Sequence, residues 1–323
     1  MKRLEASIDL LCEKHGVDII HAHTPYRVAE PALNVARRRS IPLVYEMRGM
    51  WEETAVANDR WKRWGPAFKR FRKKENKVMR AADHLVCISK TLRDAAISRG
   101  VSMDKITVVP NAVDTARFAA LELDAEQASH LDETKSALGE EFVVGYIGSL
   151  RPMEGVEEMV DAVAELLSRG RKVKMLVVSS SANRQELIDR ADRLGIMEST
   201  LFTGPVPPEF IKPYYHLIIA FVVSRPDTEV TRMVTPLKPL EAMLLRVPVV
   251  CSDLPALREL MDDGSKGRLY APGDVSGLAD ALEEVMDSTD IAASTKNAAE
   301  WVAQNRNWNE VNKENLRLYS DLK

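Results

Sequence analysis

The sequence has 323 residues, 45% apolar and 29% charged, and its 45 Lys plus Arg against 48 Asp plus Glu leave a net charge of −3. That is the balance of a folded chain of about two domains, at roughly 100–200 residues each, and it excludes both a mainly disordered chain and one whose whole surface is built for nucleic acid. No run of about 18 apolar residues occurs, and Met1-Lys2-Arg3-Leu4-Glu5 lacks an apolar h-region, so the expectation is a cytoplasmic protein, or one at the inner face of the membrane, without a spanning helix or secretory leader.

Short apolar runs alternate with helical patterns. A first helix ends near Gly16, and strands are expected at 18–22, 43–46, 84–88 and 106–110. The rhythm resumes at 142–148, 173–178, 201–204, 217–223, 247–251 and 267–270, with helices such as 157–168 and 182–194 between. Near-continuous apolar strands are buried on both faces, as in parallel sheets. The alternation therefore predicts an α/β chain of two doubly wound domains. Their boundary is expected within 111–139, a polar and acidic stretch that opens on the Pro110-Asn111 turn. The three cysteines, Cys12, Cys87 and Cys251, have apolar neighbours and no metal or redox spacing, so they read as buried, reduced thiols.

Between Arg60 and Arg80 stand ten Lys or Arg and one acid, Glu75, with Trp61, Trp64, Phe68 and Phe71 interleaved at roughly helical spacing. A solvated helix with its aromatic side buried is the plain reading. A surface for anionic lipid, or for a lipid-phosphate substrate, is the functional one. Four further passages carry chemistry. His21-Ala22-His23-Thr24-Pro25-Tyr26 lies at the carboxyl end of an expected parallel strand, where ligands of open α/β sheets bind. Tyr45-Glu46-Met47-Arg48-Gly49-Met50-Trp51-Glu52 follows the next strand and sets a cation, carboxylates and an indole in a ligand-facing loop. In Gly145-Tyr146-Ile147-Gly148-Ser149-Leu150 the glycines let a phosphate approach backbone N–H groups, although the spacing is not G-x-G-x-x-G. The fourth passage joins Arg225-Pro226-Asp227 to Arg232-Met233-Val234-Thr235-Pro236-Leu237-Lys238-Pro239-Leu240-Glu241. Thr235-Pro236 reads as a helix start, Lys238 as a point charge in its first turn, and Glu241 as an acceptor for two ribose hydroxyls. That order of dipole, cation and sugar clamp suits a nucleotide diphosphate; a capped amphipathic helix is the bland alternative.

Together these residues resemble the GT-B glycosyltransferases, in particular the large retaining family 4 (glycosyl transferases group 1). The resemblance runs through Asp18-Ile19-Ile20-His21-Ala22-His23, through Val108-Val109-Pro110-Asn111-Ala112-Val113-Asp114, and through Pro239-Leu240-Glu241-Ala242-Met243, Val247-Pro248-Val249-Val250-Cys251 and Pro272-Gly273-Asp274. It implies two Rossmann-like domains facing a cleft. The expected division is an acceptor-side domain over 1–125, a nucleotide-sugar donor domain over 139–305, and a terminal helix over 306–323 that returns to the first domain. Most of the family's opening strands are missing, so the first domain is expected to be incomplete.

The resemblance also implies roles. Glu241 clamps the donor ribose, Lys238 and the Thr235 amide region hold the diphosphate, and His23 faces the sugar or acceptor. With His23, Lys238 and Arg232 as the catalytic set, Gly148, Ser149, Arg151, Arg225, Pro236 and Leu237 complete the donor side. Tyr26, Arg48, Trp51 and Glu52 form the acceptor side. No metal and no cofactor are implied; the nucleotide-diphosphate sugar is a substrate. The expected partners are that donor and a glycan or lipid-linked acceptor, with residues 60–80 a candidate for peripheral membrane contact and no nucleic acid. Three departures accompany the match. Met233 stands where the family often has Glu, Ser149 and Glu154 replace a usual Arg and Lys, and Ser179-Ser180-Ser181 replaces a Gly-rich loop. Arg151 or Arg232 is expected to compensate. The function implied is sugar transfer with retention in envelope or exopolysaccharide assembly. The alternatives are an inactive or partner-dependent remnant that binds nucleotide without turnover, and a sugar-nucleotide epimerase on the same fold.

Overall fold

The computed structural model describes residues 1–119, 125–180, 183–207 and 210–323. Ser181 of the serine loop and the first residue of the expected 182–194 helix lie outside that set, as does part of the 111–139 boundary.

The chain forms two compact units. The first comprises Met1–Asn111, Thr228–Thr235 and Trp308–Lys323; the second comprises Ala112–Asp227 and Pro236–Asn307. Residues 228–235 thus join the first unit, although a linear division places them in the second domain. Packing and hydrogen bonding explain the difference. Met233 is buried in the first unit's apolar core. Its carbonyl accepts hydrogen bonds from the Ser89 hydroxyl at 2.6 Å and the Thr91 hydroxyl at 3.3 Å. The Thr235 carbonyl accepts one from the Asn111 side chain at 2.8 Å.

The first unit holds a parallel sheet of β1 (Ile20–His23), β2 (Leu43–Met47), β3 (His84–Cys87) and β4 (Ile106–Val108), ordered as in the sequence. Its helices obey ordinary signals. Lys90–Ser98 starts at Ser89, whose hydroxyl accepts the Leu92 N–H at 3.0 Å, as expected of an N-cap serine. Pro66–Ala81 has proline in its first turn and buries Phe68, Phe71, Glu75, Val78 and Met79 on one face. The inward aromatic side expected of the basic stretch is therefore real for Phe68 and Phe71. Trp61 and Trp64 precede the helix. Trp64 stays 52% exposed, beneath the Arg72 guanidinium at 5.1 Å.

The second unit holds β5 (Phe142–Ile147), β6 (Val173–Val178), β7 (Thr200–Phe202), β8 (Ala220–Val223), β9 (Val249–Ser252) and β10 (Arg268–Tyr270). All pairs are parallel and the order is β10-β9-β8-β5-β6-β7. This is the doubly wound order in which the first strand sits centrally and the winding reverses beside it. β8 begins at Ala220 rather than 217, because the Leu217 and Ile218 N–H groups bond back to Tyr214 and Tyr215. Cys87 and Cys251 lie in β3 and β9, and all three thiols are buried and unpaired. Burial pushes the Cys87 thiol up to about 12. Among the described residues no helix is long and apolar enough to cross a membrane.

One contact pins the loop after β5. Gly155 has φ 64°, and a Cβ there would lie 1.9 Å from the Ser224 carbonyl oxygen, while its own carbonyl accepts the Ser224 hydroxyl at 2.7 Å. Gly155→Ala should therefore destabilise the protein by about 3 kcal/mol or more, the sum of positive-φ strain and overpacking. Denaturant unfolding measures this, and a loss below about 1 kcal/mol would contradict the reported packing.

Candidate functional site

In the second unit the winding reverses between β5 and its neighbours, and ligands of such sheets bind beyond the strand ends at that point. Gly148 follows β5 with φ 149°, and a Cβ on it would come 2.3 Å from Lys238 Cε. A side chain at 148 would have to push the end of Lys238 aside. Lys238 opens the Lys238–Leu244 helix. Its Nζ donates to the Tyr146 hydroxyl at 2.9 Å and pairs with Glu154 Oε2 at 3.2 Å. Tyr146 O–H donates in turn to the Ser149 carbonyl at 2.9 Å. Glu154, 7% exposed, also receives Arg225 Nη2 on both oxygens at 3.1 and 3.2 Å. Burial opposes the Glu154 charge, but Arg225 and Lys238 outweigh it and hold the carboxyl below the ordinary range. Burial also brings Lys238 below the ordinary lysine value, with Arg225 adding to the effect and Glu154 opposing it.

Glu241 stands one turn further along this helix, half-buried. Its Oε2 accepts the hydroxyl of fully buried Tyr215 at 2.8 Å. The carboxylate is thus held from behind by one oxygen, and the other can serve a ligand. The expected helix start at Thr235-Pro236 is corrected: the helix begins at Lys238, with Leu237 as its cap residue. Thr235 is already held by Asn111 in the first unit. The structure therefore brings Gly148, Ser149, Arg225, Lys238 and Glu241 to one end of the second unit's sheet. Arg232 and Thr235 belong to the first unit instead. Arg151 is exposed at the start of the Pro152–Glu154 turn, Pro236 is buried and Leu237 is exposed. Glu154, Tyr146 and Tyr215 were not among the expected site residues. No local signal marked Glu154, because its partner Arg225 lies 71 residues away.

In the first unit, β1 and β2 pair so that His23 lies opposite Glu46. His23 Nδ1 is 3.2 Å from Glu46 Oε1, and Arg48 Nη1 is 3.3 Å from the same oxygen. His21 Nε2 faces Glu46 Oε2 at 3.3 Å but off the hydrogen-bond line, while its Nδ1 shares a 2.5 Å hydrogen bond with the Tyr319 hydroxyl. Glu46, absent from the expected set, is the hub. Burial opposes its charge, yet the two histidines and Arg48 hold its carboxyl below the ordinary range. Among the described residues His21, His23 and Glu46 could hold a metal ion, their ligand atoms lying within 4.8 Å of one another. The Arg48 guanidinium beside Glu46 works against a cation there.

Two acceptor-side expectations need correction. Glu52 is fully buried and bonded to Arg99 Nη1 at 2.5 Å, so it has no surface to offer. Tyr26 packs its ring edge-on to Phe71 at 4.9 Å, with its N–H on buried Glu75. Both are structural: Tyr26 opens the Tyr26–Arg39 helix, Glu52 lies in the Trp51–Ala57 helix, and each is buried. Trp51, Arg48 and His23 remain exposed.

Residues 3–117 match the family model for Glycosyltransferase Family 4, and residues 141–288 match that for glycosyl transferases group 1. The chain is 24% identical over 291 residues to an alpha-monoglucosyldiacylglycerol synthase of Streptococcus pneumoniae, covering 88% of this chain and 64% of that protein. It is 27% identical over 286 residues to a glycogen synthase of Mycobacterium tuberculosis, covering 87% of this chain and 62% of that protein. The chain thus spans less than two thirds of the length of these curated relatives. The solved structure of Anabaena HepE in complex with UDP superposes with a TM-score of 0.80 at 19% identity, covering 98% of this chain and 82% of that one. This last likeness establishes the GT-B fold: two parallel-sheet, Rossmann-like units.

Two outcomes follow from the first unit's carboxylates. Glu52→Ala leaves Arg99 buried without its partner and should cost about 3–5 kcal/mol of unfolding free energy; a loss under about 1 kcal/mol would return Glu52 to the surface. Glu46 has a folded value below its unfolded one of 4.5, so its contacts add stability above that pH, and the gain disappears as pH falls through the folded value. Glu46→Gln should cost about 1 kcal/mol at neutral pH, and the difference from the parent should close on acidification. A difference unchanged down to about pH 3 would contradict the assignment.

Proposed function

We propose, from the premise that this chain belongs to the family-4 glycosyltransferases (glycosyl transferases group 1), that it moves a sugar from a nucleotide-diphosphate donor to a glycan or lipid-linked glycan with retention, in envelope or exopolysaccharide assembly. The observation that carries this reading is the meeting of Gly148, Arg225, Lys238 and Glu241 where the second unit's winding reverses. Glu241, fixed by Tyr215, accepts the ribose hydroxyls. Lys238 meets the diphosphate. In the reaction an acceptor hydroxyl oxygen bonds to the anomeric carbon while the bond from that carbon to the phosphate oxygen breaks. The acceptor's proton passes to the leaving phosphate on the same face. Charge grows on that phosphate, so a preorganised cation favours the transition state over the ground state. His23, Arg48 and Trp51 are assigned to the sugar and acceptor.

The second reading, nucleotide binding without turnover, is favoured by Glu154 standing where the family usually has lysine. Calorimetric titration with UDP, GDP and ADP, beside a turnover assay on the same preparation, separates the two. Glu241→Ala should cost about 1.5–3 kcal/mol of donor binding, the value of a charge-assisted hydrogen bond. Lys238→Ala should slow transfer more than it weakens binding. Unchanged affinity and turnover in Glu241→Ala would remove that residue from the site.

The 60–80 stretch is assigned to peripheral contact with anionic lipid. Its one acid, Glu75, is buried against the Tyr45 hydroxyl and the Tyr26 N–H, so it does not dilute the exposed Lys69, Arg70, Lys73 and Lys77. Binding to phosphatidylglycerol vesicles should be present at low salt and fall steeply as salt is raised, since the attraction is screened within about 10 Å at 0.1 M. No binding at low salt would leave this stretch a solvated helix.

A further inference from the structure

We infer that Glu154 is a positioning residue of the nucleotide site: its buried carboxylate holds Lys238 as an ammonium beside Arg225 and so keeps the diphosphate cation in place before any nucleotide arrives. The inference rests on the donor-site reading above.

The loop from Gly148 to Gly155 closes on a single ammonium group. Gly148 lies under the Lys238 stem, the Ser149 carbonyl is tied to Lys238 through Tyr146, and Glu154 takes the ammonium directly. Glu154 has no freedom to swing away. The next residue is locked against Ser224, and Arg225, next along that strand end, grips both carboxylate oxygens. Arg225 is 4% exposed and keeps its proton whatever its surroundings. A lysine next to it, in a crevice of low dielectric, is pushed towards the neutral amine by desolvation and by like charge. The groups around Lys238 are Tyr146 on β5, Glu154 on the following turn, Arg225 beyond β8, and Glu241 one turn along its own helix. Of the two carboxylates, Glu154 is the one in contact; Glu241 is turned to Tyr215. Without Glu154, the positive charge of Arg225 would act on Lys238 more strongly than the Glu241 carboxylate does. A lysine at position 154, the family's usual residue, would put three cations in one buried pocket. The chain instead carries its mobile cation at 238 and its counter-ion at 154.

Two measurements on the full chain test this. In the first, the Lys238 amine is labelled with an acylating reagent from about pH 7 to 11, without nucleotide, and its modification is read by mass spectrometry. Glu154→Gln should move the reactivity midpoint down by about one pH unit or more, a tenfold change in acid dissociation. Glu154→Asp, which keeps the charge, should stay close to the parent and also serves if the glutamine variant does not fold. Coincident midpoints for Glu154→Gln and the parent would overturn the inference. In the second, UDP affinity is titrated across the same variants. In Glu154→Gln it should fall with rising pH, by roughly tenfold per unit beyond the midpoint until the lysine's whole contribution is lost. The parent should stay level until its own midpoint, about one pH unit or more higher. Glu154→Gln combined with Lys238→Arg should also stay level, because a guanidinium does not lose its proton. Affinity profiles that run parallel in Glu154→Gln and the parent would overturn it. If the parent binds no UDP, GDP or ADP, the donor-site reading fails, and the labelling still decides whether Glu154 holds the ammonium.

Discussion

The shared ion pair of Glu154 with Arg225 and Lys238 is the interaction on which the second unit's site depends. Two cations at the mouth of a parallel sheet repel each other and resist burial. One carboxylate, held by both at 3.1–3.2 Å, lets them coexist and leaves a net positive charge facing outward. Everything nearby serves that arrangement. Gly148 yields space to the lysine stem, Gly155 lets the turn close on Ser224, and Tyr146 links the ammonium to the loop carbonyl. The sheet order supplies the location, because the reversal of winding beside β5 opens the crevice there.

The first unit uses buried carboxylates differently. Glu52 neutralises Arg99 inside the core, and Glu75 binds a tyrosine hydroxyl and a backbone N–H. Burial raises the Glu75 carboxyl, with Tyr45 and Tyr26 opposing that through their hydrogen bonds. Glu52 ties the segment after β2 to the end of the Lys90–Ser98 helix, and Glu75 ties the basic helix to β2 and to the start of the Tyr26–Arg39 helix. Glu46 stands apart, at a strand end, joined to two histidines and Arg48. That contrast separates carboxylates locked in the core from one at a strand end beside the exposed His23 and Arg48.

Much of this was legible in the sequence. Apolar runs such as Val173–Val178 and His84–Cys87 announced parallel strands, since strands covered on both faces need no alternation. That Lys238 and Glu241 share one helix was readable from their spacing of three residues, and that Gly148 follows a strand from the apolar run before it. Three features were not. Glu52 looked like a ligand group because nothing local reveals Arg99, 47 residues away, as its partner. Thr235 looked like a helix start because the bond from Asn111, 124 residues away, is invisible locally. Glu154 looked like a departure needing compensation because its neighbours Arg225, just past β8, and Lys238, at a helix start, lie far along the chain. Local chemistry is written in the chain, whereas charge compensation across a fold is settled only when the strands are placed.

A crystal structure of the full chain with UDP tests the central claim most directly. The account predicts the diphosphate within hydrogen-bonding distance, about 2.7–3.2 Å, of Lys238 Nζ. The ribose hydroxyls should rest on the Glu241 carboxylate, with Glu154 still bound to Arg225. UDP bound elsewhere on the chain, or bound here with Lys238 and Glu241 both turned away from it, would contradict the account.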